Sequence, residues 1–223
     1  MKRALLSEAI GSFFLFATVI GSGIMGESLA GGNIAVALMG NTLATAAILF
    51  VLITMLGPIS GAHFNPAVTL VFALRGEISA GAALAYAIVQ VGAGILGVWT
   101  AHLMFDLPIL QWSAHARNGA GQWAGEVIAT FGLVLTILAT LEARRDWVPA
   151  SVALYIAAGY WFTSSTSFAN PAITVARSLS DTFAGIGPGD VPGFVLAQLA
   201  GALAGLGAAR MLRPDPPPTR SAH

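Results

Sequence analysis

The stretches "HFNPAVTL", His63 to Leu70, and "FANPAITV", Phe168 to Val175, carry the same Asn-Pro-Ala triplet inside apolar sequence. Each triplet opens a segment, "NPAVTLVFALRG" and "NPAITVARSL", that is too short to cross a bilayer and too apolar to be an ordinary loop. Short helices that dip into the membrane and turn back account for both properties. Non-helical backbone at that depth survives only where it is buried in protein or lines a wet cavity. Pro66 and Pro171 suit the first helical position, where no backbone donor is needed and φ is already set. Asn65 and Asn170 then fall at the N-caps, with a side-chain oxygen for the helix and an NH2 to aim at a passing solute. Ala67 and Ala172 complete the expected pore centre.

The rest of the composition agrees with a membrane setting. Of 223 residues, 56% are hydrophobic and 9% charged, with a mean hydropathy of +0.79; soluble domains are nearer a quarter charged. Spans are expected at about 4 to 25, 34 to 56, 80 to 104, 122 to 142, 149 to 166 and 191 to 212. The first begins after Lys2 and Arg3 but is longer than a signal core and contains Glu8, so it reads as a retained helix. With no cysteine, disulfides and thiol-held metals drop out. A net charge of zero argues against a nucleic-acid surface. No metal-ligand spacing, cofactor motif or nucleophile-base pair is evident, so no catalytic set is expected.

The chain is written twice. "SEAIGSFFLFATVIG" from Ser7 is echoed by "GEVIATFGLVLTILA" from Gly125, which pairs Glu8 with Glu126; "VQVGAGILG" from Val89 is echoed by "AQLAGALAG" from Ala197, which pairs Gln90 with Gln198. Three spans per copy is an odd number, so the second copy enters from the opposite face and the repeat is inverted. The expected architecture is all-α, with six transmembrane helices and two re-entrant half-helices. It forms one channel domain over 1–213, with repeats at about 1–106 and 121–213, and a disordered cytoplasmic tail at 214–223. With both termini cytoplasmic, Lys2, Arg3, Arg75, Arg144, Arg145, Arg210, Arg213 and Arg220 lie inside, leaving Arg117 and Arg177 outside. Two half-helices meeting N-terminus to N-terminus place about half a positive charge each at the midplane, a barrier to cations and to protons but not to neutral hydrogen-bonding molecules. Carbonyls from Gly61 to Phe64 and from Thr166 to Ala169 would offer acceptors to such a solute.

On these residues the chain resembles the aquaporins, or major intrinsic proteins, over nearly its whole length. The resemblance implies a homotetramer in the cell's inner membrane, each subunit passing water and small neutral solutes. It also implies that Glu8, Glu126, Gln90, Gln198 and His63 brace the re-entrant loops. Gly92, Gly97, Gly201 and Gly205 are expected at close helix contacts. Counted from the asparagines, the family's four filter positions become Thr45, Ala158, Ser167 and Ile173, where water-selective relatives carry an aromatic, a histidine, a small residue and an arginine.

The usual filter arginine is therefore missing, which implies a wider filter. Arg177 lies four residues beyond Ile173, on the same helix face and about 6 Å along the axis. Helical side chains lean back toward the N-terminus, so a cationic pore rim is one expectation. Pairing with Asp181, or reaching to solvent, is the other. The second signature, "NPAITVARSLSDTFAGI", also resembles a bacterial subgroup associated with arsenic-resistance systems, which implies passage of arsenite or methylated arsenicals. A glycerol or small-polyol facilitator and a coupled secondary transporter are the alternatives.

Overall fold

In a computed structural model, residues 1–212 are described; the predicted tail at 214–223 lies outside them. Among the described residues eight α-helices follow one another: α1 (Lys2–Leu29), α2 (Ile34–Ser60), α3 (Pro66–Leu74), α4 (Ala80–Met104), α5 (Ala120–Ala143), α6 (Val148–Phe162), α7 (Pro171–Arg177) and α8 (Val191–Met211). Short 3-10 turns, Arg145–Trp147 and Pro188–Asp190, precede α6 and α8. Of these, α1, α2, α4, α5 and α8 are long and apolar enough to cross a membrane. The fifth expected span, at 149 to 166, is shorter than predicted, because α6 stops at Phe162 and the chain runs on without helix to Asn170. Thr163 ends it by turning to extended backbone, φ -102° and ψ 141°, and Thr166, Ser167 and Ala169, at positive φ of 59°, 53° and 48°, keep the chain from resuming a right-handed helix.

Local chemistry starts and stops several of the helices. Asn33 caps α2 by accepting from the Ala35 and Val36 amides, Ser79 caps α4 through Ala82, and α2 ends on Gly61 at φ 87°. The two short helices are α3 and α7. Each begins with its proline and is capped by its asparagine, whose Oδ1 accepts at 2.9 Å from the Ala67 amide in α3 and from the Ala172 amide in α7.

Packing repeats between the halves. Helix α1 lies against α4 as α5 lies against α8, and each short helix packs on both α4 and α8. Glycine makes the first two contacts close enough: a methyl group on Gly97 would strike the Phe13 carbonyl, and one on Gly201 the Val127 carbonyl. On Gly205 it would stand 2.6 Å from the Phe131 carbonyl. Gly92 does not share this role, because its missing side chain would point into open space; Gly94, which seats the Phe16 ring, takes its place. Gly201→Leu is accordingly expected to force α5 from α8 and to destabilise the fold by about 1–3 kcal/mol. Gly92→Leu should change little, and thermal unfolding of the detergent-solubilised protein checks both.

Candidate functional site

The loops that lead into the two short helices are held in a conformation that side chains disfavour. Ala62 and Phe64 have φ of 50° and 47°, and Thr166, Ser167 and Ala169 repeat the pattern; each such residue costs on the order of 1–3 kcal/mol. A buried carboxylate offsets this in both halves. Glu8, fully buried in α1, accepts from the His63 amide at 3.0 Å, the Phe64 amide at 2.7 Å, the Ser60 hydroxyl at 2.7 Å and the Gln90 amide at 2.8 Å. Glu126, fully buried in α5, accepts from the Phe168 amide at 2.9 Å, the Ala169 amide at 2.8 Å and Gln198 at 2.5 Å. Successive N–H groups of a left-handed turn converge on one anion in this way.

A consequence follows for the carbonyls. In a trans peptide the C=O points opposite to the N–H. The peptides whose N–H groups face Glu8 therefore turn the Ala62 and His63 carbonyls away from it, and those facing Glu126 do the same with Ser167 and Phe168. All four residues line the central cavity. The glutamines extend each brace to the adjoining short helix: Gln90 donates to the Thr69 hydroxyl at 3.0 Å and Gln198 to Thr174 at 2.8 Å. Thr69 and Thr174 escaped the sequence reading, although each stands four residues after its asparagine. His63 also braces the loop, with Nδ1 at 3.1 Å from Thr69 Oγ1 and its ring stacked on Phe72 at 4.6 Å.

The asparagines tie the two loops together. Asn65 Nδ2 donates to the Ala169 carbonyl at 2.7 Å, and Asn170 Nδ2 to the Phe64 carbonyl at 2.8 Å. One amide hydrogen of each is thus engaged, and one is left for a solute, where sequence reasoning had both available. Both asparagines line the cavity. Pro66, Ala67, Pro171 and Ala172 do not: they set the helix starts, and Ala67 and Ala172 are wholly buried in packing.

This cavity, about 640 Å³, runs from Glu77, Arg145 and Asp146 at one end, past both asparagines, to Thr45, Tyr160 and Arg177 at the other. Of the four predicted filter residues, Thr45, Ser167 and Ile173 line it. Ala158 does not; it is exposed on another face of α6. That helix presents Val152, Ile156 and Tyr160 to the cavity, each four residues from the next. Two residues turn a helix by about 200°, so a count carried back from Asn170 through the non-helical loop falls on the wrong face. Tyr160 stands there instead, its hydroxyl hydrogen-bonded to that of Thr45 at 3.2 Å.

Arg177 neither pairs with Asp181 nor reaches solvent. It is 3% exposed and lines the cavity, its Nε donates to the Ala184 carbonyl, and its guanidinium carbon lies 3.3 Å from the centroid of the Phe168 ring. Asp181 accepts from the Ala114 amide at 2.9 Å instead.

Comparison with known proteins gives the family. The family profile described as "Major intrinsic protein" matches residues 1–162. The chain belongs to the major intrinsic protein family. This major intrinsic protein is 55% identical over 212 residues to the aquaglyceroporin AqpS of Rhizobium meliloti strain 1021, covering 95% of this chain and 91% of the relative. It is 32% identical over 221 residues to aquaporin NIP1-4 of Oryza sativa subsp. japonica, covering 95% and 77%. Among solved structures, the aquaglyceroporin from Plasmodium falciparum superposes with a TM-score of 0.69 over 94% of each chain at 20% identity, a likeness of fold. As a major intrinsic protein it is a passive channel of the aquaporin type rather than an enzyme.

The brace is testable in this family member. Glu126→Ala would leave two strained N–H groups without an acceptor, at about 1–3 kcal/mol each. A marked loss of thermal stability in detergent is therefore expected, while Glu126→Gln, which keeps one acceptor oxygen, should retain a substantial part of it.

Proposed function

We propose that this channel passes neutral solutes larger than water, together with water, through a narrow end built from Thr45, Tyr160, Ser167, Ile173 and Arg177. The observation that carries this reading is the position of Arg177. Apolar Ile173 occupies the place from which the filter arginine would project, and a guanidinium one turn further along α7 lines the same cavity. A cation set back from the constriction leaves a wider passage and still offers hydrogen-bond donors to a polar solute. The relocated charge is thus a rim rather than a plug.

The solutes that fit are small hydroxylated neutrals. Glycerol and other polyols are supported by the word aquaglyceroporin in the name of the relative that is 55% identical. Neutral arsenous acid and methylated arsenicals are supported by the resemblance of the second signature. Coupled transport finds less support, because Glu8 and Glu126 are bound to loop amides and neither lines the cavity. We place the subunit in a homotetramer in the inner membrane, with both termini cytoplasmic and Arg177 toward the outer mouth.

Stopped-flow light scattering of proteoliposomes tests this, comparing water permeability with uptake of glycerol, urea and arsenous acid in one preparation. Solute uptake alongside water flow is expected. Arg177→Ala should raise the uptake of the larger solutes relative to water several-fold; unchanged uptake of every solute would remove Arg177 from the filter. A saturable flux driven by an ion gradient would point to a carrier.

A further inference from the structure

Arg117 lies in the long connection between α4 and α5, sixty residues before Arg177, yet the two guanidinium groups share one aromatic ring. The Arg117 guanidinium carbon is 5.0 Å from the Phe168 centroid and that of Arg177 is 3.3 Å from it. Both fall within the roughly 6 Å over which a cation is held by a ring face. They also use consecutive carbonyls: Arg177 Nε donates to Ala184, and Arg117 Nε donates to Gly185 at 2.7 Å. Among the described residues neither arginine has an ion pair; the two salt bridges are Arg75 with Glu77 and Arg144 with Asp146.

The surroundings make Arg117 a fixed point. Its own amide donates to Asp190 Oδ2 at 2.7 Å, and the Gly187 amide donates to the His115 carbonyl at 2.6 Å, so the connection is stitched to the segment before α8. Phe168 is fixed from two other sides, by its amide on Glu126 and by the Phe194 ring, edge-on at 5.1 Å. Phe168 and Arg177 line the cavity and Arg117 does not. Arg117 can therefore act on a passing solute only through its neighbours.

We propose that Arg117 is a positioning residue for solute selection: by clasping Phe168 and the Ala184–Gly185 carbonyl pair, it sets how far the Arg177 guanidinium enters the cavity. This rests on the reading that Arg177 forms part of the narrow end of the passage. Two cations on one ring repel each other, and because Arg117 is held by its amide on Asp190 and by Gly185, its position constrains where the Arg177 guanidinium can lie against the shared ring. A lysine at 117 would keep the charge but lose the flat guanidinium and its directed Nε, so it would not do the same work.

The test is the ratio of glycerol to water permeability in proteoliposomes for Arg117→Gln, Arg117→Lys, Arg177→Ala and the double variant Arg117→Gln/Arg177→Ala. Glutamine at 117 can still donate to Gly185, and water flow within about twofold of the parent shows an intact channel; if the glutamine variant does not fold, the lysine variant carries the measurement. Both single variants at 117 are expected to shift the ratio about threefold or more in the direction of Arg177→Ala. Adding Arg117→Gln to Arg177→Ala should shift it no further, since coupled residues are non-additive. A parental ratio in Arg117→Gln or Arg117→Lys while Arg177→Ala shifts it, or full additivity in the double variant, would overturn the positioning role alone. A parental ratio in Arg177→Ala would overturn the filter reading and this inference with it.

Discussion

A buried carboxylate that gathers two consecutive backbone N–H groups is the interaction on which the rest of the channel depends. Glu8 does this for His63 and Phe64, and Glu126 does it for Phe168 and Ala169. Remove the carboxylate, and those N–H groups lose their common acceptor. The carbonyls would no longer face the cavity, and the asparagines would no longer sit at the ends of two opposed helices. A charge in a membrane is expensive; here it is retained because it fixes a backbone shape that ordinary side chains resist. The Glu–Gln–Thr chain carries the constraint onward, so each loop and its short helix are positioned as one unit against a long helix.

That scaffold gives the passage an uneven wall. Leu15, Val19, Leu49, Ile53, Leu133, Ile137, Val152 and Ile156 offer no hydrogen bonds, while the loop carbonyls and the two asparagine amides form a polar line through the middle. A solute must exchange its water partners for that line, and the apolar remainder gives water little reason to stay beside it. The opposed helix ends add a positive potential at the crossing point.

Much of this was legible because it is local. Proline after asparagine sets a cap and a helix start within three residues, and the pairing of Glu8 with Glu126 is visible as a repeated word. Glycine at 97, 201 and 205 follows from the same words, but Gly92 shows the limit: the rotation of α4 decides which glycine meets a neighbour, and Gly94 does. The filter position on α6 was misplaced for a related reason. Nothing in the sequence marks the phase of that helix relative to Asn170, so Ala158 was chosen where Tyr160 stands. The direction of Arg177 depended on Ala184 and Phe168, and the place of Arg117 on Gly185 and Asp190. Such long-range partners have no signature in sequence spacing.

The crossed hydrogen bonds, Asn65 to Ala169 and Asn170 to Phe64, bear on how the chain is made. When the ribosome has delivered α3, the acceptor for Asn65 lies about a hundred residues downstream and has not been translated. The first half therefore waits in the bilayer with its loop incomplete, and only the arrival of the second half closes both loops at once. Neither half can complete its pore loop by itself, so the pore exists only once both halves are in place.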